Sequence, residues 1–127
     1  MLRRKPIRHF TNDLDKSWTA DDYLDLVIWY EVSGQMYGFQ LTYDRYVRER
    51  AVTWTHSGGF AHSVVDTGGA GGLGAGMSPV LKFCHDFPWR IVLREFVTRS
   101  PELDPLIRLF IVRQIIAHGP KYTEPPP

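Results

Sequence analysis

LVIWYEVSGQMYGFQLTY, residues 26–43, decides the fold. Residues 26–32 are mostly β-branched and aromatic, and Leu26, Ile28, Tyr30 and Val32 recur at period two, the pattern of a half-buried strand. SGQ, 33–35, is a turn. In MYGFQLTY, 36–43, Tyr37, Phe39, Leu41 and Tyr43 share one face, with Met36, Gly38, Gln40 and Thr42 on the other. Two such runs joined by three residues containing glycine predict an antiparallel hairpin.

The same pattern continues downstream. AVTWT, 51–55, and FAHSVVD, 60–66, flank HSGG and predict a second hairpin, which completes a four-strand meander. Residues 80–84, VLKFC, are a candidate fifth strand. PIRHF, 6–10, is a candidate edge strand, because proline is tolerated at a strand's start. TADD, 19–22, reads as a short N-capped turn ahead of the first long strand.

Beyond the meander the period changes. Apolar residues at 89, 92, 93, 96 and 97 lie on one face of a helix, expected over 88–99. SPELDP breaks the chain, and Asp104 can cap a second helix from Pro105 to His118 that stops at Gly119–Pro120. This second helix is apolar almost all round. Leu106, Ile107, Leu109, Phe110, Ile111, Val112, Ile115 and Ile116 cannot all face one sheet. Helix 105–118 is therefore either central to the core or the interface of a homodimer.

Strands first and helices afterwards is the order of an α+β fold. The expected architecture is an antiparallel four- to five-stranded meander followed by two C-terminal helices packed on one face of the sheet. A single domain is expected over residues 1–120, with a disordered proline-rich tail over 121–127.

Composition narrows the function. The chain has 127 residues and a net charge of +1, from 15 basic and 14 acidic residues. That balance argues against a nucleic-acid binder, which is usually strongly basic. RRKPIR, 3–8, is read as a solvated terminal arm. Cys84 is the one cysteine, so no intrachain disulfide can form. No apolar run follows the basic N-terminus as in a secretory signal, and the apolar stretches 106–112 and 115–117 are too short to span a bilayer. The expectation is a cytoplasmic protein with no membrane partner.

TGGAGGLGAGM, 67–77, matches G-x-G-x-x-G at Gly69, Gly71 and Gly74. A nucleotide fingerprint also needs a βαβ unit whose helix opens at the loop, and a P-loop needs Lys-Ser/Thr. Neither is present. Residues 68–76 are expected to be a flexible connection that binds no nucleotide, and no cofactor is expected.

His56 and His62 are the candidate metal ligands, with Asp66, His85 and Asp86 as further donors. The hairpin turn controls whether they meet. A three-residue Ser57-Gly58-Gly59 loop puts His56 and His62 on one face, and a two-residue Gly58-Gly59 loop puts them on opposite faces. Along a strand, His62 and Asp66 are roughly 13 Å apart, too far to share an ion without a bulge. Ordinary hydrogen-bonded histidines are the expectation, and a metal-dependent enzyme centred on His56 and His62 is the alternative. Cys84 and His85 are strand neighbours pointing to opposite faces, which separates a thiol from its base. Glu31, on the face of Val27 and Trp29, is a candidate acid of raised pKa, weighed against ordinary edge exposure.

Trp54 and the arginines of YDRYVRER, Arg45, Arg48 and Arg50, are candidate binding residues for anions or acidic proteins, weighed against a solvated turn. The expected function is a small non-enzymatic binding or accessory domain for a protein or small-molecule partner, self-associating through its second helix. A third reading is an RNA or single-strand binder using an aromatic sheet face.

Overall fold

The computed structural model describes residues 1–5, 15–44, 48–66 and 80–124. Seven strands form one antiparallel sheet in which sequence neighbours are also spatial neighbours. They are β1 (Arg3–Lys5), β2 (Asp15–Ala20), β3 (Asp25–Tyr30), β4 (Met36–Tyr43), β5 (Arg50–Thr55), β6 (Gly59–Asp66) and β7 (Val80–Phe83). Helices α1 (Trp89–Arg99) and α2 (Pro105–His118) follow and cover one face. The class is α+β with an antiparallel sheet, as the sequence predicts.

The sheet exceeds the predicted four to five strands at its N-terminal edge. DKSWTA, β2, hides from a hydrophobic-period reading because Ser17 and Thr19 stand beside Ile28 and Leu26 on the core face. The edge strand β1 pairs Arg3 with Ala20 and lies upstream of the stretch 6–10 proposed for it, which is outside the described residues. Of TADD, expected as a turn, Thr19 and Ala20 end β2, and only Asp21 and Asp22 enter the turn that joins β2 to β3. Asp21 Oδ1 accepts from the amides of Tyr23 and Leu24 at 2.9 and 2.8 Å.

The first hairpin carries a bulge. The register shifts between Trp29 and Tyr30, so Tyr30 pairs with Met36 and Tyr37 becomes the extra residue. Met36 therefore packs on the core, and the Tyr37 hydroxyl lies 2.9 Å from Ser57 Oγ. This corrects the expected grouping of Tyr37 with Phe39. Val32, expected to continue the strand, lies in the turn and is fully exposed. Gly38 sits where β4 passes closest to β5: a Cβ there would come 2.5 Å from the Trp54 carbonyl oxygen.

The core lies between sheet and helices. Leu26, Ile28, Phe39, Leu41 and Val52 from the sheet meet Val92, Phe96, Ile111 and Ile115 from the helices. Phe110 of α2 sits edge-on to Trp54, ring centres 4.6 Å apart. Asp104 caps α2 as predicted, its Oδ1 accepting from the Leu106 amide at 2.8 Å. At the other end Gly119 lies against Trp89, and a Cβ would come within 2.6 Å of the indole.

Arg99 ties α1 to the β2–β3 turn. Its Nη1 donates to Asp21 and Asp22 at 3.0 and 2.8 Å, and its Nε to Glu95 at 2.9 Å. Burial opposes ionisation of Asp21, but the amides of Leu24 and Tyr23 and the Arg99 guanidinium hold its pKa at about 2. Residues 121–124, assigned to the tail by sequence, continue from a 3₁₀ turn at Gly119–Lys121, and Thr123 pairs with Asp86. Residues 125–127 and the glycine run 67–77 lie outside the described residues.

Candidate binding surface

The candidate ligand pair is the first test of a site. The β5–β6 turn has neither of the expected registers. Thr55 Oγ1 accepts from the Gly58 amide at 2.9 Å, and the His56 amide donates to the Tyr37 carbonyl at 2.8 Å. These bonds draw His56 into a three-residue turn, and pairing resumes at Thr55 and Gly59, which has φ +72°. His62 then stands opposite Val52, with Trp54 and Phe60 on the same face. His56 is exposed at the turn, while His62 is fully buried three residues along β6, roughly 10 Å from Gly59. The fold does not bring the two histidines together. Among the described residues no three His, Cys, Asp or Glu side chains group to hold a metal ion.

His62 instead completes a buried polar joint. Its Nδ1 lies 3.0 Å from the Cys84 carbonyl oxygen, which can only accept, so Nδ1 carries the proton. Nε2 then accepts from the Tyr43 hydroxyl at 2.6 Å. Phe87 stacks on the imidazole at 4.4 Å, and Tyr122 meets it edge-on at 5.7 Å. Burial pushes the His62 pKa down to about 4, outweighing the Cys84 carbonyl, which favours the charged form. Burial likewise raises the Tyr43 hydroxyl. The ring is neutral at pH 7, with both nitrogens occupied.

The other sequence candidates disperse. Trp54 lies under α2, between Phe39 and Phe110. Arg50 is mostly buried, donates to Asp44 Oδ2 at 3.0 Å and lies over the Tyr43 ring. Arg48 is exposed, and Arg45 is outside the described residues. Cys84 Sγ points to the Asp86 carbonyl, and His85 is exposed against the Phe83 ring. Glu31 is in the β3–β4 turn. Phe39, Tyr43, Trp54 and Phe60 pack on the covered side of the sheet.

Two hollows remain. One, of about 490 Å³, opens beside β1–β3 and the start of α2, lined by Arg4, Ser17, Thr19, Tyr30, Glu102 and Ile107 among others. The other, of about 390 Å³, is a groove between α1 and α2 lined by Val97, Pro101, Leu103, Pro105, Arg108, Leu109 and Val112. Arg108 forms part of its wall, with Nε donating to Ser100 Oγ at 3.0 Å and Nη2 to the Val97 carbonyl at 2.8 Å.

Large apolar residues are exposed on both helices. Leu106 is 78% exposed, Ile116 50%, Leu109 46%, Ile91 44% and Val97 40%. Leu106, Leu109, Arg113 and Ile116 follow helical spacing along the outer side of α2. The sequence points to α2 but not to α1, where Val97 is expected to be buried and is exposed. The available signal was Ile91, which falls off the predicted apolar face. The chain matches no known protein family, no characterised protein and no solved structure.

Proposed function

We propose that this chain is a non-enzymatic binding or accessory domain whose working surface is the outside of its helical layer. The observation that carries the reading is the stripe Leu106–Leu109–Ile116, continued across the groove by Val97. Exposed apolar residues are normal singly, and a contiguous set beside a groove marks a contact site. Covering each Leu or Ile would stabilise a complex by about 1.5–3 kcal/mol before the costs of association.

One occupant to test for this surface is a second copy of the chain, paired through α2. An antiparallel pairing of two copies centred on Ile111 sets Leu106 opposite Ile116 of the second copy and Leu109 opposite its Arg113. Sedimentation velocity of the wild type and of Leu109→Glu tests it. A concentration-dependent dimer that the variant abolishes supports self-association. For the wider reading, Leu109→Glu removes whatever contact the surface makes while leaving the melting temperature within a degree or two. A large loss of stability would instead make Leu109 a core residue and sink the proposal.

A further inference from the structure

We infer that the occupant of the α1–α2 groove is an acidic amphipathic helix of a partner protein, an inference that rests on the helical layer being a binding surface. Residues 89–124 contain Arg90, Arg94, Arg99, Arg108, Arg113 and Lys121 against Glu95, Glu102, Asp104 and Glu124, so this region carries +2 in a chain of net charge +1, with Arg99 also met by Asp21 and Asp22. Much of the acidic complement is already engaged. Glu95 holds Arg99, and Asp104 caps α2. α2 has no acidic residue between Pro105 and His118.

Exposed cations lie on the same helical layer as the exposed apolar residues, and Arg90 also rests over the Trp89 ring. Arg90 and Arg94 are each 71% exposed and reach Glu124 and Glu95 only at 3.9 Å. Their spacing with Val97 (i, i+4, i+7) places all three on the outer side of α1. Arg113 is exposed within the Leu106–Ile116 stripe and has no acidic partner among the described residues. An apolar groove walled in part by Arg108, on a helical layer that also exposes Arg90, Arg94 and Arg113, is complementary to a segment with leucine-like anchors on one side and carboxylates beside them.

The form of the segment follows from backbone chemistry. Most of the groove wall is helix, with Pro101 and Leu103 in the α1–α2 connection, and the helices' backbone N–H and C=O groups are bonded within the helical layer. An extended strand laid there would leave its own polar groups unpaired, whereas a helix arrives with them satisfied. Ridges of a third helix can seat between α1 and α2 by ordinary helix packing. A second copy supplies the apolar contacts but brings Arg94 and Arg113 against a surface equally rich in arginine.

The test titrates the isotope-labelled full chain with two 18-residue amphipathic peptides. One has leucine on one side and glutamate on the other; its twin replaces glutamate by lysine. The glutamate peptide should shift the α1 and α2 amides and bind at least tenfold more tightly than its twin, weakening several-fold from 50 to 300 mM salt. The triple variant Arg90→Glu/Arg94→Glu/Arg113→Glu, altering exposed residues only, should reverse the preference. Equal binding of both peptides overturns the acidic partner and leaves the surface standing. Binding of neither, with a dimer that Leu109→Glu dissociates, overturns it in favour of a second copy. Binding of neither, with the same amides shifted by phosphatidylglycerol vesicles, overturns it in favour of an anionic lipid surface. No response to any of these removes the binding surface itself.

Discussion

Ile115 and Ile116 are the same residue type, adjacent in one helix, and one is fully buried while the other is half exposed. Their difference comes from the sheet. α2 is apolar all round, so its sequence pattern gives it no preferred face. The aromatic surface of β4 and β5 selects Ile111 and Ile115, and Phe110 closes against Trp54. The opposite side keeps an apolar character that folding does not use. The buried joint at His62 is the reverse case, with polar groups inside but fully partnered. Polar groups satisfied internally ask for no ligand, whereas apolar groups left outside ask for a cover.

The largest effect expected is at the buried side. Ile115→Glu places a carboxylate in the apolar core between sheet and helices and should cost more than about 4 kcal/mol, enough to unfold a marginal domain. A circular dichroism melt of Ile115→Glu that resembled the wild type would break the comparison at once.

The next effect is on pH. The folded pKa of His62, about 4, lies below the unfolded value of 6.5. Between these values the unfolded chain binds a proton that the folded chain refuses. The stabilisation from keeping His62 neutral is therefore complete above pH 6.5 and lost as pH falls to 4, on the order of 3 kcal/mol in all. The Asp21 contribution is lost in a separate window, from 3.8 down to about 2. Urea unfolding at pH 7, 5.5 and 4 should show the fall, and His62→Gln should flatten it. An unchanged slope in that variant would assign the acid sensitivity elsewhere.

Smaller losses sharpen the same contrast. Tyr43→Phe removes the donor to His62 Nε2 and leaves a buried acceptor unpaired, which should cost about 1–3 kcal/mol. Asp104→Ala removes the cap that holds the Leu106 amide and should cost about 1 kcal/mol. Denaturant midpoints with unchanged slopes would measure both. If Asp104→Ala exceeded Tyr43→Phe, the polar joint would matter less than its burial implies.

The sequence made the central hairpins and both helices legible, because period two gives way to a helical period at Trp89, with Asp104 and Gly119 bounding α2. It hid β2 because Ser17 and Thr19 replace apolar residues on the core face of that strand. The bulge at Tyr37 and the register at His56 were also hidden. Each depends on individual bonds, such as the Gly58 amide to Thr55 Oγ1, that hydrophobic patterning does not encode. The helix proposed as an interface was legible as a surplus of apolar residues. Which of them stay outside was not, since that depends on the crossing of α2 over the sheet.

The smallest stability effect is the most informative. Ile116→Glu alters a half-exposed residue on the outer side of α2, where a carboxylate keeps its water, so stability should change by no more than about 0.5 kcal/mol. A reduced melting temperature comparable to that of Ile115→Glu would mean both sides of the helix are core. With stability unchanged, any altered association reports on the surface alone. A new carboxylate beside Arg113 would pair with it in part and weaken an acidic partner through both lost apolar contact and like charge. Ile116→Lys would lose the apolar contact but add attraction. An acidic partner should therefore be weakened more by Ile116→Glu than by Ile116→Lys, whereas a purely apolar contact would be weakened equally by both.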